Sequence, residues 1–230
     1  MPGYQNMQDI EEDKSIREKL LNIHRQLKNF FGPLFWWPGD SKLEIIVGAI
    51  LTQNTNWQNV TKAINNIKKQ NLLKAKELYN INEKDLAQLI KPSGYYNLKA
   101  KRLKNFINYF YRSYDGSIEE IFKHDCSYLR GELLRINGIG QETADSILLY
   151  AGEKPVFVVD AYTRRIFQRH KMINPDSNKD SYENIQAFFM NNLPQDHNLF
   201  NEFHAQIVMV GKNYCKPTKP DCHNCPLSNL

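Results

Sequence analysis

The sequence has no apolar run long enough to cross a bilayer and no alternating pattern long enough to predict a β-sheet. Its longest apolar stretch, interrupted by a single glycine, is Ile45–Leu51, whereas a membrane-spanning helix needs about 20 residues. The N-terminal segment MPGYQNMQDIEED is acidic and lacks the apolar centre of a secretion signal. We therefore expect a cytoplasmic protein that does not associate with a membrane.

Cysteine is also scarce, and three of the four cysteines lie close together near the C-terminus. Cys215, Cys222 and Cys225 have the spacing C-x6-C-x2-C. Since no secretion signal is present, a disulfide framework is not expected. Clustered thiols in a cytoplasmic chain instead indicate a metal or iron–sulfur site.

The charge of the chain does not identify its partner. It has 30 Lys and Arg residues against 25 Asp and Glu residues, which gives a net charge of +5. Five basic residues and no acidic ones lie between Lys91 and Lys104. This segment suits contact with phosphates, but an exposed helix face would have the same pattern.

Apolar residues recur at helical spacing along most of the chain, which predicts an all-α fold. Helices are expected at about residues 16–30, 43–52, 57–70, 83–90 and 99–114, and after Ile118, Tyr128 and Gly140. Leu103, Phe106, Ile107 and Phe110 are expected to face the core. The short run Val156–Val159 is interpreted as a buried connector rather than a strand.

A two-glycine turn precedes one of the predicted helices. In the segment NGIGQETA a single apolar residue separates Gly138 from Gly140. Two glycines permit a tight turn and leave amides uncovered at a helix N-terminus, where they can bind a phosphate oxygen. Ordinary helical hairpins use the same turn, so the signal is weak by itself.

An aspartate follows the second glycine of this turn by twenty residues. Asp160 ends the apolar run Val156–Val159 and begins the segment DAYTRR. It has two open interpretations. An aspartate at the start of a helix is a common N-cap. A carboxylate there also stays ionised and could stabilise a developing cation or activate water.

Five motifs, in the same order, resemble those of the endonuclease III group of helix-hairpin-helix DNA glycosylases, the HhH-GPD superfamily. They are LTQNT at 51–55, PSGYYNLKA at 92–100, GIGQETA at 138–144, VVDAYTRR at 158–165 and the cysteine spacing. The resemblance covers roughly residues 16–225 and is closest to the 3-methyladenine glycosylase branch.

The resemblance implies two helical lobes. One comprises residues 40–152 and contains the helix-hairpin-helix at about 129–151. The other comprises 1–39 and 153–230, with a metal-cluster loop at 215–230. The implied partner is double-stranded DNA containing a damaged base, bound by a monomer that is associated with the nucleoid if the source is prokaryotic.

The resemblance also implies a role for each motif. Gln53 would enter the duplex where a base has left, and Tyr95 would wedge the opposite strand. Asp160 would be the catalytic carboxylate. The DNA-binding positions that it implies are Gln53, Tyr95, Asn97, Lys99, Gly138, Gly140, Gln141 and Thr143.

One departure from the pattern bears on the reaction. Members that also cleave the DNA strand carry a lysine just before the Thr-Ala of the hairpin helix, and this chain has Glu142 there. A carboxylate cannot form a Schiff base with the sugar. We therefore expect a monofunctional glycosylase that uses Asp160 and water to leave an abasic site.

A second departure is the aromatic segment FFGPLFWWP at residues 30–38. Phe30 and Phe31 are interpreted as core residues. Trp36 and Trp37 could either complete the core or, with Glu142, line the base pocket, because flipped bases stack between aromatic rings. Such rings favour a cationic base. The expected substrate is therefore an alkylated purine such as 3-methyladenine.

The family's cluster has the spacing C-x6-C-x2-C-x5-C, of which Cys215, Cys222 and Cys225 match three cysteines. The fourth would fall at position 231, after the last residue given. We expect a [4Fe–4S] cluster with that further ligand. A zinc site completed by Cys126 or His223 is the alternative.

Two other function classes stay open. One is an endonuclease III-like glycosylase and lyase for oxidised pyrimidines or mismatched bases. The other is a non-catalytic hairpin protein that binds DNA and in which Asp160 is only an N-cap. Base release from duplexes with single lesions would separate them.

Overall fold

The computed structural model describes residues 3–174 and 181–230, with side chains from Ser15 onward. The described residues form helices, turns and loops and contain no β-strand. The chain divides into two compact units, one of Trp37–Lys154 and one of Met1–Trp36 with Pro155–Leu230. The all-α class predicted by the helical periodicity is confirmed.

Twelve α-helices are numbered here in chain order over the described residues. They are α1 Gly3–Phe31, α2 Lys42–Leu51, α3 Trp57–Lys69, α4 Ala75–Asn80, α5 Glu83–Leu89, α6 Tyr96–Tyr114, α7 Ile118–Ile121, α8 Cys126–Arg135, α9 Gln141–Ser146, α10 Ala161–Arg169, α11 Tyr182–Asn192 and α12 His197–Asn213. A 3₁₀ turn occupies Lys91–Ser93, and a π-helical turn, Ile147–Ala151, continues α9. No described helix is long and apolar enough to span a bilayer.

Polar N-caps begin most of these helices. A side-chain oxygen at each cap accepts a hydrogen bond from a backbone N–H in the first turn, which would otherwise have no partner within the helix. The residues that do this are Ser41, Asn56, Asn82, Ser117, Asp125, Asp160, Ser181 and Asp196.

The core of the unit Trp37–Lys154 is built around α2 and α6. Nearly all of α2 is buried, as its continuous apolar sequence requires. On α6, Leu103, Phe106, Ile107 and Phe110 are fully buried, which confirms the inward face predicted from their spacing.

The core of the other unit is aromatic. Phe157 stacks on Phe189 with ring centroids 4.1 Å apart, and it meets Phe200 and Phe203 edge to face. The run Val156–Val159 is buried and forms no strand, so its interpretation as a connector is confirmed. These contacts fix the backbone immediately before Asp160.

An ion pair joins the two helices that flank the glycine turn. The Asp145 side chain on α9 has no exposed surface, and Arg130 on α8 donates to both of its oxygens, from Nε at 2.7 Å and from Nη2 at 3.1 Å. Such two-pronged pairing fixes orientation as well as distance. It therefore holds α8 and α9 in one arrangement.

We expect Arg130→Met to lower the free energy of unfolding by about 3 kcal/mol, because Asp145 would keep a buried charge and lose both guanidinium hydrogen bonds. Urea denaturation at pH 7 measures this change. The control is Arg135→Met, which removes an exposed guanidinium paired with the half-buried Glu132 and should change stability by less than about 1 kcal/mol. Equal effects of the two variants would contradict the prediction.

Candidate functional site

Gly138 lets the hairpin approach α6 closely. Its φ is +97°, a conformation that side chains disfavour. A Cβ at this position would lie about 3.0 Å from Arg102 Cβ and closer still to Arg102 Cγ. Ile139 is buried, whereas Gly140 is exposed and caps α9 without a side chain. Ile139 thus anchors the turn in the core, and the backbone at Gly140 is accessible from the surface.

Gln53 lies against this hairpin. Its Nε2 donates to the Gly138 carbonyl at 3.1 Å and to Thr143 Oγ1 at 2.9 Å. Its Oε1 accepts from Arg102 Nη1. The structure therefore brings together three predicted DNA-binding residues, Gln53, Gly138 and Thr143, and adds Arg102, which the motifs did not single out.

The loop that contains Tyr95 is strained and exposed. Gly94 and Tyr95 both have positive φ, +69° and +44°, and a bulky residue rarely adopts this conformation. The Tyr95 side chain is 74% exposed, and Asn97 is exposed as well. A strained residue held in place at the surface is a frequent feature of functional sites.

Lys99 occupies a different environment from the one expected. It is only 1% exposed, and its Nζ donates to the carbonyls of Leu51 at 2.9 Å and Ser93 at 2.6 Å. Burial, with a smaller contribution from Arg102, lowers its pKa to about 8. The prediction that Lys99 contacts DNA is therefore wrong for this structure, because its ammonium group does not reach the surface.

Lys104 is also engaged within the protein. Its Nζ donates to the carbonyls of Leu78, Tyr79 and Ile81, at the end of α4, over 2.6–3.0 Å. Of the basic residues on the first half of α6, Lys101 is the exposed one and Arg102 is half-buried. The basic segment therefore has fewer charges available for phosphates than its sequence suggests.

The two adjacent tryptophans fall in different units. Trp37 packs edge to face on Trp57, with centroids 4.9 Å apart, and lies 4.7 Å from the Tyr150 ring. Trp36 lines an open cleft of about 460 Å³ in the other unit, together with Phe35, Asp196 and Glu202. The structure thus places Trp37 in an aromatic cluster and Trp36 beside carboxylates.

Glu142 and Gln141 lie in the first turn of α9. Glu142 is exposed and Gln141 half-buried. A carboxylate is favourable near the positive end of a helix. Position 142 therefore presents a negative charge beside the hairpin, where a lysine would present an amine.

Asp160 is the N-cap of α10. Its Oδ1 accepts hydrogen bonds from the Thr163 backbone N–H at 2.7 Å and from Thr163 Oγ1 at 2.9 Å. Its Oδ2 lies 3.6 Å from His204 Nε2, and its side chain is 12% exposed. One oxygen is therefore used by the cap, and the other faces an imidazole.

The carboxyl of Asp160 is held in its ionised form. Burial acts to raise its pKa, but the nearby His204 and the hydrogen bonds from Thr163 outweigh this effect and lower the pKa below its usual value. No motif pointed to His204, which lies on α12 and meets Asp160 only through the fold. The N-cap geometry and an ionised carboxylate suited to chemistry occur in the same residue.

Cys215, Cys222 and Cys225 line one cavity of about 210 Å³. Arg169 Nη1 donates to Cys215 Sγ at 3.2 Å, and His170 lines the same cavity. Burial raises the pKa of the Cys225 thiol. Among the described residues, no group of three His, Cys, Asp or Glu side chains is close enough to hold a single metal ion.

The alternative ligands have other positions. Cys126 begins α8 in the unit Trp37–Lys154, and His223 is exposed and not among the residues that line the cavity. His170 is the histidine that the fold brings to the cysteines. No local pattern predicts this position, because His170 lies 45 residues before Cys215.

The predicted positions fall into two groups. Gln53, the Tyr95 loop and the hairpin belong to the unit Trp37–Lys154. Asp160, Trp36 and the three cysteines belong to the other unit.

Comparison with known proteins identifies the class. Residues 47–195 match the HhH-GPD superfamily of base excision DNA repair proteins. The Methanocaldococcus jannaschii protein "Putative DNA repair glycosylase MJ1434" is 48% identical over 93% of this chain and 96% of its own length. Endonuclease III of Thermotoga maritima is 28% identical over 80% of each chain.

Solved structures show the same relationship. The crystal structure of Helicobacter pylori 3-methyladenine DNA glycosylase (MagIII) bound to 1,N6-ethenoadenine has a TM-score of 0.71 and 30% identity, covering 87% of this chain and 97% of that one. A non-covalent endonuclease III–DNA complex has a TM-score of 0.78 and 20% identity, covering 93% and 94%. The chain belongs to the HhH-GPD superfamily of base excision DNA repair proteins.

The lowered pKa of Asp160 predicts a specific pH dependence of stability. The wild type should be more stable than Asp160→Asn at neutral pH, because the folded state favours the ionised carboxylate. This advantage should stay constant down to about pH 5 and be lost as the pH falls below about 4, through the folded-state pKa. Urea denaturation of both proteins between pH 3 and pH 8 measures it. An advantage that grows as the pH falls would contradict a lowered pKa.

Proposed function

We propose that this protein is a monofunctional DNA N-glycosylase that removes an alkylated purine from double-stranded DNA and leaves an abasic site. The observation that carries the proposal is the setting of Asp160. Its carboxylate is mostly buried, ionised and held by Thr163, with one oxygen towards His204. Such a group can stabilise a cationic sugar, which neither a neutral side chain nor an exposed one would do as well.

The reaction needs little more than this carboxylate and a water molecule. When an N3-alkylated adenine leaves, the bond from C1′ of the sugar to the base breaks. Its electrons neutralise the positive charge of the base. The sugar is left as an oxocarbenium ion, which Asp160 stabilises. A water oxygen then bonds to C1′ and releases a proton to Asp160 or to solvent.

The residue at position 142 supports hydrolysis rather than strand cleavage. A lyase of this type needs an amine to form a Schiff base with C1′. Glu142 has no amine, and the ammonium group of Lys99 on α6 is buried against two carbonyls. The proposed product is therefore an intact strand with an abasic site.

Two features favour a cationic purine as the substrate. Trp36 lines a cleft with Asp196, Glu202 and Lys28, and the face of its aromatic ring attracts cations. The second feature is the 30% identity with a 3-methyladenine DNA glycosylase from Helicobacter pylori. Trp36 is the base-pocket residue that we propose in this unit.

We propose that DNA is held at the hairpin. The exposed Gly140 and the turn around Gly138 would receive a phosphate through backbone amides. Gln53 would fill the space left by the extruded base, and the exposed ring of Tyr95 would separate the opposite strand. Gln53 would have to leave its hydrogen bonds to Gly138 and Thr143 to reach the duplex.

The cysteine cavity fits an iron–sulfur cluster in part. Cys215, Cys222 and Cys225 would hold the proposed [4Fe–4S] cluster, and Arg169 would donate to the Cys215 sulfur. Such clusters are usually held by four cysteines. When bound, the cluster would contribute structural stabilisation of the loop. The alternative is zinc with three cysteines and a histidine, for which His170 is the candidate because it lines the cavity.

Base release by Asp160→Asn tests the reaction. An asparagine is as good an N-cap as aspartate, so the fold should be kept. The rate of base release should nevertheless fall by roughly 10²–10⁴-fold, because the carboxylate charge is lost. The assay uses duplexes that each carry one lesion, among them 3-methyladenine, 1,N6-ethenoadenine, an oxidised pyrimidine and a G·T mismatch. Borohydride treatment during turnover should trap no covalent complex.

The matched control is Asp125→Asn, a second N-cap aspartate, which should retain full base release. If Asp160→Asn kept its rate of base release, Asp160 would be only an N-cap and would have no catalytic role. If the protein released an oxidised or mismatched pyrimidine and not the alkylated purine, the proposed substrate would be wrong. Trapping of a covalent complex would replace the proposed hydrolytic mechanism.

Elemental analysis of the purified protein tests the cofactor. We expect iron and acid-labile sulfide in equal amounts, about four of each per chain, with a brown colour. The serine variants of Cys215, Cys222 and Cys225 should each lose both, whereas Cys126→Ser should keep them. Zinc in place of iron, lost with the same variants, would indicate the alternative site.

A further inference from the structure

Lys99 is a buried cation that no part of the proposed chemistry uses. It lies on the first turns of α6, with its ammonium group enclosed by the protein. Taking an ammonium group out of water is unfavourable, and burial accordingly lowers its pKa to about 8. A buried lysine is retained only where hydrogen bonds compensate for lost hydration.

The two hydrogen bonds of Lys99 join two separate segments. The Leu51 carbonyl is at the C-terminus of α2, and the Ser93 carbonyl is in the 3₁₀ turn before α6. At the end of α2 the Thr55 N–H donates to Thr52 at 3.2 Å rather than to Leu51. The ammonium therefore takes the place of a helix donor at Leu51 and holds Ser93 beside it.

Each of these carbonyls is two residues from a side chain proposed to enter the duplex. Gln53 follows Leu51, and Tyr95 follows Ser93. Both loops contain non-glycine residues with positive φ, Asn54 at +53° and Tyr95 at +44°. Such conformations persist only where surrounding contacts hold them. Lys99 supplies one such contact to both loops at once.

The next turn of α6 contacts a third segment, the hairpin at Gly138. Arg102, three residues after Lys99, donates to Gln53 and packs its side chain against Gly138. The start of α6 therefore touches the loop with Gln53, the loop with Tyr95 and the hairpin. It is the element from which the relative positions of all three are set.

We propose that Lys99 is a positioning residue that fixes the loop carrying Gln53 relative to the loop carrying Tyr95, so that both side chains can enter one gap in a duplex. The inference rests on the DNA-binding part of the proposed function and deepens it. Lys99 acts through the Leu51 and Ser93 carbonyls and touches neither DNA nor the damaged base. A single buried ammonium group thus holds two surface loops in fixed positions relative to each other.

The test compares binding to two duplexes of the same sequence, one intact and one with a tetrahydrofuran abasic-site analogue. The dissociation constant for the intact duplex divided by that for the abasic duplex reports recognition of the gap. This ratio does not depend on catalysis. In Lys99→Met both hydrogen bonds are lost at similar side-chain volume. We expect this ratio to fall by about 10- to 100-fold, since small misplacements of interacting groups have effects of that size.

Salt dependence separates positioning from direct contact. Because Lys99 touches no phosphate, the slope of log K against log salt for the intact duplex should be the same in Lys99→Met and wild type. If Lys99 contacted a phosphate, the slope would fall by about one. Lys99→Gln, which is shorter and cannot reach both carbonyls, should behave like Lys99→Met and serves if Lys99→Met does not fold.

The control is Lys104→Met, which removes another carbonyl-bound lysine of α6 that touches neither loop. It should lower the melting temperature and keep the binding ratio. The proposal is overturned if the folded Lys99 variants keep the wild-type ratio, if Lys104→Met loses it equally, or if the salt slope falls. It is also overturned if the wild type does not distinguish the two duplexes. A wild type that distinguishes them but releases no base would contradict the proposed reaction alone.

Discussion

The close approach of α6 to the hairpin at Gly138 is the constraint on which the arrangement of the unit Trp37–Lys154 depends. A side chain at position 138 would overlap Arg102, and moving Arg102 away would remove its hydrogen bond to Gln53. The ion pair of Arg130 and Asp145 fixes the hairpin helices from the other side. The contacts between α6, Gln53 and the hairpin therefore depend on the absence of a side chain at position 138.

Asp160 combines two interpretations that the sequence had left as alternatives. One carboxylate oxygen caps α10 through Thr163, and the other faces His204. The cap orients the group, and the imidazole helps to keep it ionised although its side chain is mostly buried. A structural role and a chemical role are compatible here, because a carboxylate has two oxygens with separate surroundings.

Sequence reasoning failed where a residue type suggests one environment and packing provides another. Lys99 matched a DNA-binding motif, yet it is four residues before Leu103 and seven before Phe106, on the same face of α6. Helical periodicity thus favours an inward position for Lys99, whereas the charge of a lysine usually indicates an exposed one. Trp36 and Trp37 are neighbours in the sequence, but the boundary between the two units passes between them.

The sequence by itself determined the all-α class, most helices up to the hairpin, the glycine turn and the family, because these depend on local spacing and on residue types at fixed positions. Only the tertiary structure decided which polar atoms meet. Gln53 meets Gly138, Asp160 meets His204, and Lys99 meets Leu51, in pairs separated by 44 or more residues along the chain; the second carbonyl partner of Lys99, Ser93, is nearby in sequence. No local pattern encodes such contacts, since they arise from the way packed helices place distant segments side by side.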